Sequence, residues 1–115
     1  MDLYNWRNIP EEQLSPSLVR QTIHTPQMTI ARLRLAKGAI VPVHHHVNEQ
    51  ITMLQSGVLR FVVGGEEVIV GAGDALRIPP HAPHSVETLE EAIAIDLFTP
   101  PREDWIRGDD AYLRA

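Results

Sequence analysis

The sequence contains no cysteine, which removes disulfides, thiolate metal sites and cysteine nucleophiles together. That fits a reducing cytoplasm, the expected location. It also lacks any apolar run long enough to cross a bilayer, and its acidic start, MDLYNW, has neither the basic n-region nor the apolar core of a signal peptide. Positive charge is not in excess: the net charge of −5 disfavours nucleic acid or an anionic membrane as the main partner. No internal repeat or low-complexity segment interrupts the chain. What remains is 115 residues, enough to bury one core without covalent staples, and the expectation is a single domain spanning residues 1–115.

The hydrophobic pattern has the period of strands. Residues 28–38, MTIARLRLAKG, alternate apolar with polar or charged side chains, as a half-buried strand requires. Residues 58–74, VLRFVVGGEEVIVGAGD, read as a hairpin, with Gly64-Gly65 supplying the positive φ of a tight turn. ALRIPP supplies another strand, and residues 84–101 read as two more around an acidic turn at Glu87 to Glu91. Pro100 and Pro101, which cannot donate to a ladder, stop the last one. The first 26 residues, punctuated by Pro10, Pro16 and Pro26, are compatible with a short helix or an edge strand. The tail from Arg102 holds at most a helical turn. Short strands joined by Gly/Pro turns predict an all-β barrel or jelly roll with its core at about residues 28–100.

The stretch from Gly38 to Gly57, GAIVPVHHHVNEQITMLQSG, carries the chemistry. In an extended chain residues two apart share a face, so His44, His46 and Gln50 point one way and His45 and Glu49 the other. Imidazole is the commonest ligand for divalent transition metals, and a convergent pair is half a site. Taken alone, a three-histidine run is as compatible with a solvated loop. A bend at Val47-Asn48 would also break the parity, which leaves Glu49 as a rival to Gln50. His84, in RIPPHAPHS, is the candidate to complete the site.

These residues resemble the two sequence motifs of the cupin family. Gly38, His44, His46, Gln50 and Gly57 match the first motif, with Gln where the family most often has Glu. Gly73, Pro79 and His84 match the second, with His81 at a position usually held by Gly and Thr88 where Asn is common. The resemblance implies a six-to-eight-stranded jelly roll that holds one divalent transition metal ion, nickel, zinc, iron, manganese or cobalt, on His44, His46, Gln50 and His84. A neutral amide leaves more of the ion's charge uncancelled than a carboxylate does, which favours Lewis-acid over redox-iron chemistry. Small cupins often pair through an N-terminal strand, and open sheet edges give a physical motive, so a homodimer is expected.

In AIAIDLFTPPREDW, Ala92, Ala94, Asp96 and Phe98 share one strand face. A carboxylate on a face of small residues, followed by Phe98 and Arg102, suits a substrate pocket; alone, Asp96 and Arg102 read more readily as solvated charges at a strand end and a turn. Together with HHHVNEQIT, however, DLFTPPRED resembles the small pectin-degradation cupins that linearise 4,5-unsaturated uronates. That resemblance implies Asp96 and Arg102 as catalytic and Phe98 and Arg102 as substrate-binding residues, acting on a carboxylated sugar. Two other classes stay open: a non-catalytic sensor or small-ligand-binding cupin, and another cupin enzyme (dioxygenase, isomerase or lyase) on the same metal site.

Overall fold

In the computed structural model, which describes residues 1–114, nearly all regular structure is antiparallel sheet. The strands are β1 (Glu12–Ser15), β2 (Leu18–His24), β3 (Thr29–Leu35), β4 (Ile40–His44), β5 (Glu49–Val63), β6 (Glu66–Gly71), β7 (Ala75–Ile78) and β8 (His84–Thr99). The helix α1 (Glu103–Ile106) and a 3-10 turn at Ala111–Leu113 follow. The sheet order is β1-β2-β3-β8-β5-β6, with β4 also paired to β8 and β7 to β5.

Two long strands organise this sheet. β5 and β8 run against each other from Glu49↔Thr99 to Val63↔His84, and each changes its outer partner along the way. Residues 92–98 of β8 pair with β3, whereas its opening residues pair with β4. Residues 50–53 of β5 pair with β7, and residues 58–63 with β6. The sheet therefore has two halves, and one buried cluster draws on both: Leu18, Ala31 and Leu35 from one side, Leu59, Phe61 and Val86 from the other. This is the jelly-roll class that the strand pattern predicts.

The segment before Pro26, expected as a short helix or an edge strand, holds a 3-10 turn at Trp6–Asn8 and the β1–β2 hairpin with β1 at the sheet edge, which extends the sheet N-terminal to residue 28. One expectation needs correction. The acidic run does not break residues 84–99 into two strands, because Glu90 and Glu91 simply turn outward together and the alternation then resumes. Their charges mark solvent at an outward step in β8, which β5 meets with register shifts between Leu54 and Leu59. Among the described residues no helix is long and apolar enough to cross a membrane.

Gly57 sits at that step with φ 86°, and a Cβ there would lie 2.2 Å from the Glu91 carbonyl oxygen. A side chain would meet both left-handed strain and a backbone clash that cannot rotate away. Gly57→Ala is expected to cost about 3 kcal/mol or more, measured by denaturant unfolding. Gly38→Ala, with positive φ but open space around it, should cost only the conformational part, about 1–2 kcal/mol.

Candidate metal centre

His44 ends β4 and His84 opens β8, directly opposite each other across the ladder. His46 lies in the bend before β5, where its carbonyl accepts the backbone N–H of His81 at 2.8 Å. His81 is the one non-glycine among the described residues with positive φ, at 66°, which accounts for a position where glycine is usual. The turn from Pro79 to Ala82 thus fixes the bend that carries His46. The potential ligand atoms of His44, His46 and His84 all lie within 4.8 Å of one another.

Each imidazole is oriented in the same way. Nδ1–H donates to a backbone carbonyl: Pro42 for His44 at 2.8 Å, Asn48 for His46 at 3.1 Å and Ala82 for His84 at 2.8 Å. A neutral ring whose proton is on Nδ1 has its lone pair on Nε2. Burial pulls the pKa of both His44 and His46 down to about 4; for His46 the Arg102 guanidinium adds to the effect, and His84 is lowered by burial as well. All three rings are therefore neutral near pH 7, as metal ligation requires.

The polar atoms left over fit a cation. His84 Nε2 is buried with no hydrogen-bond partner. His46 Nε2 faces Gln50 Oε1 at 3.1 Å, two acceptors turned toward each other when the ring proton is on Nδ1. Leaving a buried acceptor unsatisfied costs about 1–3 kcal/mol, and a divalent ion would satisfy these together. His44, His46, His84 and Gln50 would hold it. Glu49, the rival on the other parity, points outward into an ion pair with Arg77 at 2.7 Å. The parity argument survives the bend.

From Gln50 a hydrogen-bonded chain leads to Asp96. Gln50 Nε2 donates to Thr52 Oγ1 at 2.9 Å, and Thr52 donates to Asp96 Oδ1 at 2.7 Å. Asp96 is buried, and its pKa is pushed up to about 6 by desolvation, against the opposing pulls of the Thr52 hydrogen bond and Arg102. A cavity of about 50 Å³ brings His44, Gln50, His84, Asp96, Phe98 and Arg102 to one space, with Tyr112 and Leu113 of the C-terminal turn in its wall.

Arg102 is not a free rim charge. It is only 1% exposed, with its guanidinium 4.7 Å from the Phe98 ring centre and 4.1 Å from that of Trp105. Its Nε and Nη2 form a fork on Asp104 at 3.0 and 2.9 Å, and Nη2 also donates to the Tyr112 hydroxyl at 2.8 Å. A carboxylate from its own chain already occupies the face that the resemblance assigns to substrate. Arg20, buried on β2, lies 4.5 Å from the Trp105 ring centre and donates to Asp110 at 2.8 Å.

The cupin-domain family model matches residues 31–98, which span both histidine motifs and the strand carrying Asp96. The chain is a cupin. It is 33% identical over 100 residues to the pectin degradation protein KdgF of Dickeya dadantii, an alignment covering 84% of this cupin and 91% of that protein. KdgF from Halomonas sp. superposes with a TM-score of 0.85 at 27% identity, over 91% of this chain and 98% of the other. An RmlC-like cupin from Shewanella frigidimarina gives the same TM-score and identity, over 91% and 96%.

The sequence motifs therefore bring their residues together in this cupin, and Asp96 and Phe98 reach the same cavity. Three participants escape the motifs. Thr52 was open to the parity rule, being two residues beyond Gln50 on the same strand face. Arg20 looks like any alternating strand charge, and nothing in the sequence of the tail sets Tyr112 apart.

The lowered imidazole pKa values set a direction for stability. Between about pH 6.5, the unfolded value, and about 4, the unfolded chain binds more protons than the native one at these histidines, so stability falls on acidification. Asp96, shifted upward, works in the opposite direction over part of the range, but it is one group against three. Chelator-treated protein should have a lower Tm at about pH 5 than at pH 7. A Tm that rises over that interval would show that the rings are not held neutral.

Proposed function

We propose that this protein is a metal-dependent enzyme that hydrates a 4,5-unsaturated uronate and so converts it to its linear keto form. The observation that carries this reading is the cavity in which His44, Gln50 and His84 meet Asp96, Phe98 and Arg102, in a chain homologous to KdgF. An unsaturated uronate is a cyclic enol ether bearing a carboxylate. Adding water places a proton on C4 and a hydroxyl on C5; the resulting hemiketal loses its C5–ring-oxygen bond, leaving a ketone at C5. A divalent ion, when bound, supplies a Lewis acid that holds and polarises the substrate's oxygens.

The chain's own groups divide the remaining work. Asp96 has the tuning expected of an acid working near neutrality, since burial holds a fraction of it protonated where an ordinary carboxyl would be fully ionised. Protonation at C4 is its role. Phe98, buried beside His46 with ring centres 5.6 Å apart, presents an apolar wall to the sugar and keeps water off Asp96. Arg102 receives the substrate carboxylate by exchanging Asp104 and Tyr112 for it, a bidentate-for-bidentate replacement.

Turnover is followed by loss of the enol-ether ultraviolet absorbance of an unsaturated uronate monomer, corrected for the spontaneous rate. Metal-loaded protein should accelerate it and chelated protein should not. Asp96→Asn should lower kcat by about 10²–10⁴-fold while retaining its metal. A protein verified to carry metal that gives no acceleration sinks this assignment, and ligand binding without turnover would point to a sensor.

The space by the cluster is smaller than such a substrate. About 50 Å³, where roughly 10–15 Å³ suffices to hold one water, is room for only a few waters, so a sugar acid enters only if a wall moves. The wall least tied to the sheet is the C-terminal turn, held by the buried Asp110 through Arg20 and Arg114. Asp110→Asn keeps the shape and removes the charge. It is expected to lower KM about threefold to tenfold by raising the fraction of open molecules, and an unchanged or higher KM in a folded variant would show that entry lies elsewhere.

A further inference from the structure

Thr52 belongs to no metal-binding motif, yet it stands between the cluster and Asp96 with every hydrogen-bonding direction determined. It is 1% exposed and sits on β5 directly opposite Asp96 on β8. A threonine hydroxyl has one proton to give, and a carboxylate can only accept. Thr52 gives its proton to Asp96 Oδ1 at 2.7 Å. Its oxygen is then left as an acceptor, and the donor that fills it is Gln50 Nε2 at 2.9 Å. A primary amide has its oxygen and nitrogen at opposite corners, so committing Nε2 to Thr52 turns Oε1 toward His46, where it lies 3.1 Å from Nε2.

We propose that Thr52 is the positioning residue that sets the polarity of the Gln50 amide, so that its oxygen, not its NH2 group, faces the metal position. This rests on the reading of His44, His46, Gln50 and His84 as the ligand set. The direction is imposed from Asp96: carboxylate, then hydroxyl donor, then amide donor, then amide oxygen at the cluster. Without the hydroxyl the two amide orientations are no longer distinguished from behind. In the metal-free site the reversed one is then preferred, because NH2 can donate to the His46 Nε2 lone pair. That orientation presents hydrogens to an incoming cation and must flip before the oxygen can ligate. The family's commoner glutamate would not need such a device, since its two oxygens are equivalent. The demand for a hydroxyl at position 52 follows from having Gln at position 50.

The test measures binding of Co²⁺ alone, without substrate, by competition with a chromophoric chelator and by the ligand-field spectrum of the loaded protein. Thr52→Val, which keeps the shape and removes the hydroxyl, should weaken Co²⁺ binding about tenfold, equivalent to about 1.4 kcal/mol, and shift the ligand-field bands. Thr52→Ser should restore both to within about twofold of the parent. In a Gln50→Glu background the same Thr52→Val change should have little effect, because a carboxylate has no wrong way round. Unchanged affinity and spectrum in Thr52→Val overturn the proposal. So does a Ser variant as impaired as the Val variant, or a Val effect as large in the Gln50→Glu background as in the parent. Should Thr52→Val fail to fold, Thr52→Ala removes the hydroxyl instead and is compared with Thr52→Ser on the same spectrum, equal affinity and bands in the two overturning the proposal. Failure of the parent to take up Co²⁺ would remove the ligand set itself, whereas a parent that binds Co²⁺ but leaves an unsaturated uronate untouched loses only the substrate assignment.

Discussion

Three backbone carbonyls determine what the centre of this protein can do. Pro42, Asn48 and Ala82 each take the Nδ1 proton of a histidine, and the outward fixing of those protons makes the inner nitrogens converge as lone pairs. Free imidazoles packed this closely would compete for protons or turn away from one another. The Pro42 carbonyl belongs to β4 itself and those of Asn48 and Ala82 to the two turns flanking the β4–β8 ladder, so ring orientation is a property of the fold and not of the rings. Metal-ligating histidines elsewhere commonly carry such an outer partner. Here the partners are main chain, which a side-chain substitution removes only by moving the turn.

Those turns are in turn held by the positions where the backbone is least ordinary. His81 adopts a left-handed φ, and its N–H closes on the His46 carbonyl; strain of about 1–2 kcal/mol at a non-glycine residue persists because the surrounding turn over-determines it. Asn48 plays the matching part on the other side: its side-chain amide donates to the carbonyls of Pro100 and Pro101, so the strand exit leading to Arg102 is tied to the bend carrying His46. The two ends of the candidate site, ligand cluster and arginine, are thereby linked through one side chain.

How much of this could be read in the sequence follows from what each signal depends on. The period of two in His44, His46 and Gln50, and in Ala92, Ala94, Asp96 and Phe98, is a geometric property of an extended chain, and it identified inward-facing residues without any tertiary information. His46 tested that logic hardest, because it lies outside a strand, yet the bend returns Gln50 to the same face while Glu49 goes out to Arg77. The β8 expectation fails because adjacent charges resemble a turn in sequence, whereas a strand that steps outward exposes two neighbours at once. Arg20 and Tyr112 are illegible for another reason: their partners are brought to them by the tail returning over β2 and β4, a long-range contact with no local period.

Arg102 lines the cavity by the cluster, yet its guanidinium is already engaged within its own chain. Its guanidinium stacks on Phe98 and Trp105, with Arg20 also against Trp105. Two buried cations sharing one indole would repel strongly in a low-dielectric interior if neither had a counter-charge. Asp104 answers Arg102, and Asp110 with Glu12 answers Arg20. The acidic pairing is thus a condition for keeping an arginine buried beside an otherwise neutral cluster. It also gives the arginine a partner of the same chemistry as the carboxylate of the proposed uronate, which would have to compete with an internal one already in place. A neutral molecule, or a carboxylate too far from the fork, has nothing with which to displace Asp104. In the proposed function, selectivity for an acid would therefore arise from the exchange itself, before any contact with the metal position.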